Sequence, residues 1–218
     1  MTLKPIESRR ELTRIYPPRI KIILPPENLD RVRGYIAQYK YNDIRTLFHF
    51  LPEEILLFTR KREPVREYSL TERMKSALRK LRLDPTKLHT LDGGIMRHLT
   101  VSGESPIVIW DILVHDNLPL TDTTMIDRYR LLQKICSNPK KIENATGHQI
   151  GLEIDGPLWL APIFTKNLRE HFLEAIPTDY LEGLILKDPR ARLSTPRHED
   201  NNTSWQIKIR KPAKNYAF

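Results

Sequence analysis

The stretch 34-GYIAQYKYNDIRTLFHFLPEEILLFTRK-61 holds three runs rich in β-branched and aromatic residues, GYIAQYKY, IRTLFHF and ILLFTRK, and LPEE separates the last two. Such runs predict consecutive antiparallel strands joined by short turns. Toward the N-terminus, the proline pairs Pro17-Pro18 and Pro25-Pro26 bracket RIKIIL, which alternates basic and apolar residues as a strand does, and ENLDRVRGYI predicts a short helix. Toward the C-terminus the period changes. Residues 69 to 82 place Met74, Leu78 and Leu81 on one side and bases on the other, with Ser69 three residues before Glu72, so an amphipathic helix with a capping box is expected there.

Two strands follow, HTLDGGIMRHLTV and SPIVIWDILV, separated at Ser102 and Gly103; then a helix over TTMIDRYRLLQKICS, a strand over GPLWLAPIF, a helix over NLREHFLEAI, and strands over EGLILKDP and SWQIKIRK. Strands and helices mix without regular βαβ alternation, so the expected class is α+β, with antiparallel sheets flanked by helices. The polar stretch 188-DPRARLSTPRHEDNNTS-204 is expected to be a mobile loop.

The composition narrows the function classes. The 218 residues suffice for one large domain or two small ones, and 39% hydrophobic content supports a buried core. No run approaches the roughly 20 apolar residues of a membrane helix, and MTLKPIESRR has no apolar segment behind it, so neither a membrane partner nor a secretory leader is expected. The single Cys136 excludes an intramolecular disulfide and a multi-cysteine zinc site, which suits a reducing, intracellular location, cytoplasmic or nuclear. A net charge of +9 raises the expectation of a polyanionic partner. Glycine-rich phosphate loops are absent: neither GxxxxGK[ST] nor GxGxxG occurs.

Three places could carry chemistry. In 38-QYKYNDIR-45, Lys40 lies five residues before Arg45; neighbouring positive charge, from Arg45, Arg60, Lys187 or Lys208, could lower an amine pKa enough to make a nucleophile. A solvated lysine on a basic strand is the plain alternative. In 182-EGLILKDP-189, Glu182 and Lys187 face opposite ways on an ideal strand, unless Gly183 allows a bulge. In 205-WQIKIR-210, Lys208 and Arg210 share one face, suited to a phosphate or to the wet side of an edge strand.

Taken in order, these segments resemble the adenylation domain of ATP-dependent DNA ligases, within the covalent lysine nucleotidyltransferases. KYNDIR stands where that family has KxDGxR, ILLFTRK matches the next segment, HTLDGG stands for FxLDGE, IVIWDIL offers an aromatic, EGLILKDP matches EGxxxK, and KIR stands for KxK. The resemblance runs from about residue 34 to 212. It implies a nucleotidyltransferase (ATP-grasp-like) domain over 35–218, with residues 1–34 as a strand and helix extension packed on it; the family normally continues into an OB-fold domain, and none is expected in the few residues after Arg210.

It further implies that ATP binds between two sheets, with its adenine against Trp110 and near Gln38, and that Lys40 attacks the α-phosphate. Arg45, Arg60, Lys187, Lys208 and Arg210 would contact the nucleotide, while Glu182 and Asp92 would hold Mg2+ or Mn2+. AMP would pass to the 5′-phosphate of nicked DNA or another polynucleotide, the chain being a naturally minimal enzyme, a shortened one, or a subunit whose protein partner supplies an OB fold. The family's KxDG acid and glycine are Asn42 and Asp43 here, and its glutamate after LDG is Gly94. These departures keep a non-catalytic protein that binds nucleic acid or a protein partner in view, alongside an RNA ligase or a capping guanylyltransferase.

Overall fold

A computed structural model describes residues 4–97, 103–194 and 202–212 of the chain. In chain order the elements are α1 (Arg9–Leu12), β1 (Arg19–Ile23), a 3-10 turn (Pro26–Arg31), β2 (Ile36–Tyr41), β3 (Asp43–Phe50), β4 (Ile55–Thr59), α2 (Glu72–Arg79), β5 (His89–Met96), β6 (Ile107–His115) and β7 (Leu118–Pro119). They continue with α3 (Met125–Cys136), β8 (Lys140–Glu143), β9 (Gln149–Asp155), β10 (Leu158–Leu160), α4 (Leu168–Ala175), β11 (Leu181–Lys187) and β12 (Asn202–Arg210).

The strands form two sheets, a small one ordered β1-β12-β11-β2 and a large one ordered β4-β3-β5-β6-β10-β9-β8, with β7 paired to β6. Together with the helices this is the expected α+β class. Most pairs are antiparallel, but β1 runs parallel to β12 and β10 parallel to β6.

The expected hairpin between GYIAQYKY and IRTLFHF does not form. β2 pairs with β11 in the small sheet and β3 pairs with β4 and β5 in the large one. The chain crosses between sheets at Asn42, whose N–H donates to the Tyr180 carbonyl and whose carbonyl accepts from Arg97 N–H. Alternation therefore breaks at residue 42. Two strands that look consecutive in sequence end up on opposite walls of one cleft.

Alternation elsewhere sorts the side chains. Phe48, Leu91, Ile95, Ile107 and Ile109 on the large sheet pack under Met74, Ala77 and Leu78 of α2 and Met125, Tyr129, Leu132 and Ile135 of α3. Ile6, Leu12 and Ile15 cover Leu47, Leu113 and Val114. On the small sheet Tyr39, Tyr41, Leu184, Leu186 and Ile209 enter a separate core with Phe172 and Ala175 of α4. The opposite face of that sheet is left for the cleft.

Helix α2 is capped by Thr71, which accepts from Met74 N–H, rather than by Ser69, so the helix starts later than the expected capping box. Helix α3 is capped in the same manner by Thr124. The β8–β9 hairpin, polar and short, has no counterpart in the sequence pattern. Of the stretch expected to form a mobile loop, residues 195–201 lie outside the described residues, as do Ser102 and residues 98–101 of the strand predicted over HTLDGGIMRHLTV. Among the described residues, no helix is long and apolar enough to cross a membrane.

Candidate active site

The two sheets enclose a cleft of about 250 Å³, lined from the small sheet by Gln38, Lys40, Ile185, Lys187, Gln206, Lys208 and Arg210 and from the large sheet by Asp43, Arg45, Arg60, Asp92 and Trp110. Arg19 and Ile20 of β1 complete it. Nearly all the residues singled out in the sequence thus meet in one place, although they come from six strands and the end of β4. Glu182 joins them through its contact with Lys40.

Lys40, partly buried, forms an ion pair with Glu182. That contact needs the irregularity at Gly183. The β2–β11 register slips between Leu181 and Gly183, which turns Glu182 to the cleft side that strict alternation would deny it. Gly183 has φ +134°, and a Cβ there would lie 2.1 Å from the Ile209 carbonyl oxygen, so only glycine fits. Arg210 stands 3.9 Å from the same Glu182 oxygen.

Across the cleft, Arg45 forks onto Asp92, Nε to Oδ1 at 3.0 Å and Nη2 to Oδ2 at 2.5 Å, and its Nη1 donates to the Pro18 carbonyl. Asp92 is 1% exposed, and each of its oxygens already takes one bond from Arg45. Pro18 lies in the segment read as a packed extension; that segment also supplies β1 to the small sheet and Arg19 to the cleft wall.

The electrostatics are those of an anion site. Burial pushes Lys187 down to about 8, with Asp111 and Asp92 opposing it. Lys208 is lowered by burial and then by the cations Arg210, Lys40, Arg19 and Arg60 facing it. Positive charge held this close together is destabilising unless an anion joins it. Asp43 is pushed up to about 7 by burial, Lys40 and Arg45 pulling the other way.

Behind Lys187 lies a support that the sequence pattern did not mark. Arg128 of α3, fully buried, forks onto Asp111 at 2.8 and 2.9 Å and donates to the Thr123 carbonyl, with its guanidinium over the Trp205 ring. The arginine on the apolar face of the TTMIDRYRLLQKICS helix was the available signal. Gln38 donates from Nε2 to the Ala161 carbonyl at 3.2 Å, and its Oε1 is buried without a partner among the described residues. A buried unpaired acceptor beside an open cleft is a place for a ligand donor.

No family model matches the sequence, and no curated protein matches it. Solved structures do. A mycobacterial DNA ligase D complexed with ATP aligns over 91% of this chain and 60% of its own length, at 17% identity and TM-score 0.58. A Lig E DNA ligase aligns over 90% of this chain and 70% of its own, at 13% identity and TM-score 0.54. The ATP-dependent DNA ligase of bacteriophage T7 in complex with ATP aligns over 91% and 68%, at 14% and 0.51. The chain therefore spans about three fifths of the mycobacterial ligase structure. Two facing sheets of this order, with flanking helices, give the chain the fold of a DNA ligase nucleotidyltransferase domain.

Proposed function

We propose that the chain is an ATP-dependent, DNA-ligase-type nucleotidyltransferase that forms a covalent lysine–AMP through Lys40 and transfers the AMP to the 5′-phosphate of a nicked polynucleotide. The observation that carries this reading is the placement of Lys40: a partly buried lysine, paired to a single carboxylate, at the floor of a cleft whose other walls converge cations. A structural lysine would not need Lys187, Lys208 and Arg210 turned toward the same space.

Lys40 Nζ, once its proton has passed to Glu182 or to water, attacks the α-phosphorus; the new N–P bond forms as the bond to the bridging oxygen breaks and pyrophosphate leaves. Lys187, Lys208, Arg210 and Arg60 hold the phosphates and oppose the charge that builds on the leaving group. Trp110, half-buried in the wall, offers a face for the purine, and the unpaired Gln38 Oε1 accepts from a base amine. Arg45 is braced on Asp92 and Pro18 in the cleft wall. A divalent cation, when bound, neutralises triphosphate charge, and the carboxylate oxygens of the cleft suit a hard cation. Glu182 and Asp92 are the holders that the resemblance names. The excess of cations over the chain favours a nucleic-acid partner.

A non-catalytic reading is favoured by Asn42, which stands where the nucleotidyltransferase pattern has its acid. The two separate in one experiment. Intact mass after incubation with ATP and Mg2+ or Mn2+ should rise by roughly 329 Da, one AMP, in the wild type and not in Lys40→Ala. No gain in folded wild type with either metal supports the binding-only reading, and labelling by GTP instead of ATP would replace the ligase reading with a guanylyltransferase.

A further inference from the structure

Asp43 and Gly94 lie on adjacent strands of the large sheet and compete for one space. Gly94 pairs with Arg45 and Asp43 with Met96, so the two are diagonal neighbours on the cleft face. A Cβ on Gly94 would lie 2.5 Å from Asp43 Oδ1 and 2.6 Å from its Cγ. No side chain can occupy position 94 while Asp43 stands as it does. Positions 43 and 94 are therefore coupled in space: the acid stands at the first residue of β3, and the absence of a side chain on the strand beside it leaves it room.

Position 43 does not turn the acid away from the cleft. Strict alternation from Lys40 would place residue 43 on the opposite face, but the crossover at Asn42 restarts the pattern, and both Lys40 and Asp43 line the cleft. Among the described residues the Asp43 carboxylate makes no hydrogen bond or ion pair, whereas that of Asp92 is forked by Arg45 and that of Glu182 is paired with Lys40. Of the three carboxylates, Asp43 is the one with both oxygens uncommitted.

We infer that Asp43 supplies the carboxylate oxygens for the divalent cation that accompanies the triphosphate, and that Gly94 is glycine in order to admit it. This rests on the nucleotidyltransferase reading. The probe is Mn2+ titrated by electron paramagnetic resonance in the presence of the α,β-methylene analogue of ATP, whose bridge cannot be cleaved. Asp43→Asn, nearly isosteric, should weaken Mn2+ binding at least tenfold while leaving affinity for the metal-free analogue within twofold. Gly94→Ala, which pushes Asp43 aside, should weaken it severalfold.

Moving the acid across, in Asp43→Gly/Gly94→Glu, should recover Mn2+ binding at least tenfold relative to Asp43→Gly, a rescue that a merely structural role would not give. Thermal melts establish that each variant is folded. Wild-type Mn2+ affinity in Asp43→Asn, with the analogue bound normally, overturns this inference and leaves the nucleotidyltransferase reading standing. Wild type that binds no analogue at all overturns both.

Discussion

Replacing Gly183 by alanine tests how the cleft is assembled. At φ +134° the residue occupies backbone space open to glycine alone, and the added methyl would sit 2.1 Å from the Ile209 carbonyl oxygen and 3.1 Å from Arg210 Cα. Holding a non-glycine residue in such a conformation costs about 1–3 kcal/mol. Relieving the contact means parting β11 from β12 at their Gly183–Arg210 pair, which gives up about one ladder hydrogen bond, roughly 1 kcal/mol more. The expected loss is about 2–4 kcal/mol, a large share of a typical domain's stability of about 5–15 kcal/mol but short of abolishing the fold. Urea unfolding followed by circular dichroism reads it directly. A second consequence follows where the variant is still native: with the bulge gone, Glu182 no longer faces Lys40, and Lys40 adenylylation should fall at least tenfold. An alanine variant that unfolds at the wild-type urea concentration would refute the account of the bulge.

Removing the carboxylate behind Lys187 should be costly as well: Asp111→Asn leaves the fully buried Arg128 with no opposing charge, and the expected loss is about 3–5 kcal/mol in urea unfolding, with a loss under about 1 kcal/mol counting against the pair as a structural support. His49 is buried, its Nδ1 against Thr90 Oγ1 and its Nε2 unpaired among the described residues, and burial lowers it from 6.5 to about 4. Because the folded pKa is the lower one, its contribution is complete above pH 6.5 and is lost as the pH falls through about 4, up to about 3 kcal/mol in all. His49→Leu should flatten the acid side of the stability profile in that window; an unchanged profile would show that His49 is not the titrating group. Burial pushes the Cys136 thiol up to about 12, so iodoacetamide at pH 8 should modify it only in urea, and rapid labelling of the native protein would contradict its place in the core.

Local signals carried far in this chain. The apolar spacing of Met74 and Leu78 fixed α2, the turn residues LPEE fixed the β3–β4 hairpin, and the period of two put Lys208 and Arg210 on one face of β12. What escaped were features set by distant partners. Nothing in KYNDIR says that the chain changes sheets at Asn42, because the hydrogen bonds that hold it there come from Tyr180 and Arg97. Nothing in the sequence says why residue 94 carries no side chain, because the group that would collide with one, the Asp43 carboxylate, comes from the neighbouring strand. The Asp111–Arg128 pair, likewise, joins a strand to a helix and has no spacing of its own.

The order of strands in the small sheet bears on how the protein is made. All strands of the large sheet lie between Asp43 and Leu160, so that sheet can close as soon as this span has left the ribosome. Among the described residues Lys40 sits on β2, an edge strand whose partner in its sheet is β11, about 140 residues later, with one further bridge from Ala37 to Phe164, and β1 must wait for β12 in the same way. Such distant pairings form slowly. During synthesis the strand bearing Lys40 therefore has at most its Ala37–Phe164 bridge until residues 181–187 emerge, and the growing chain acquires its scaffold well before it acquires the cleft.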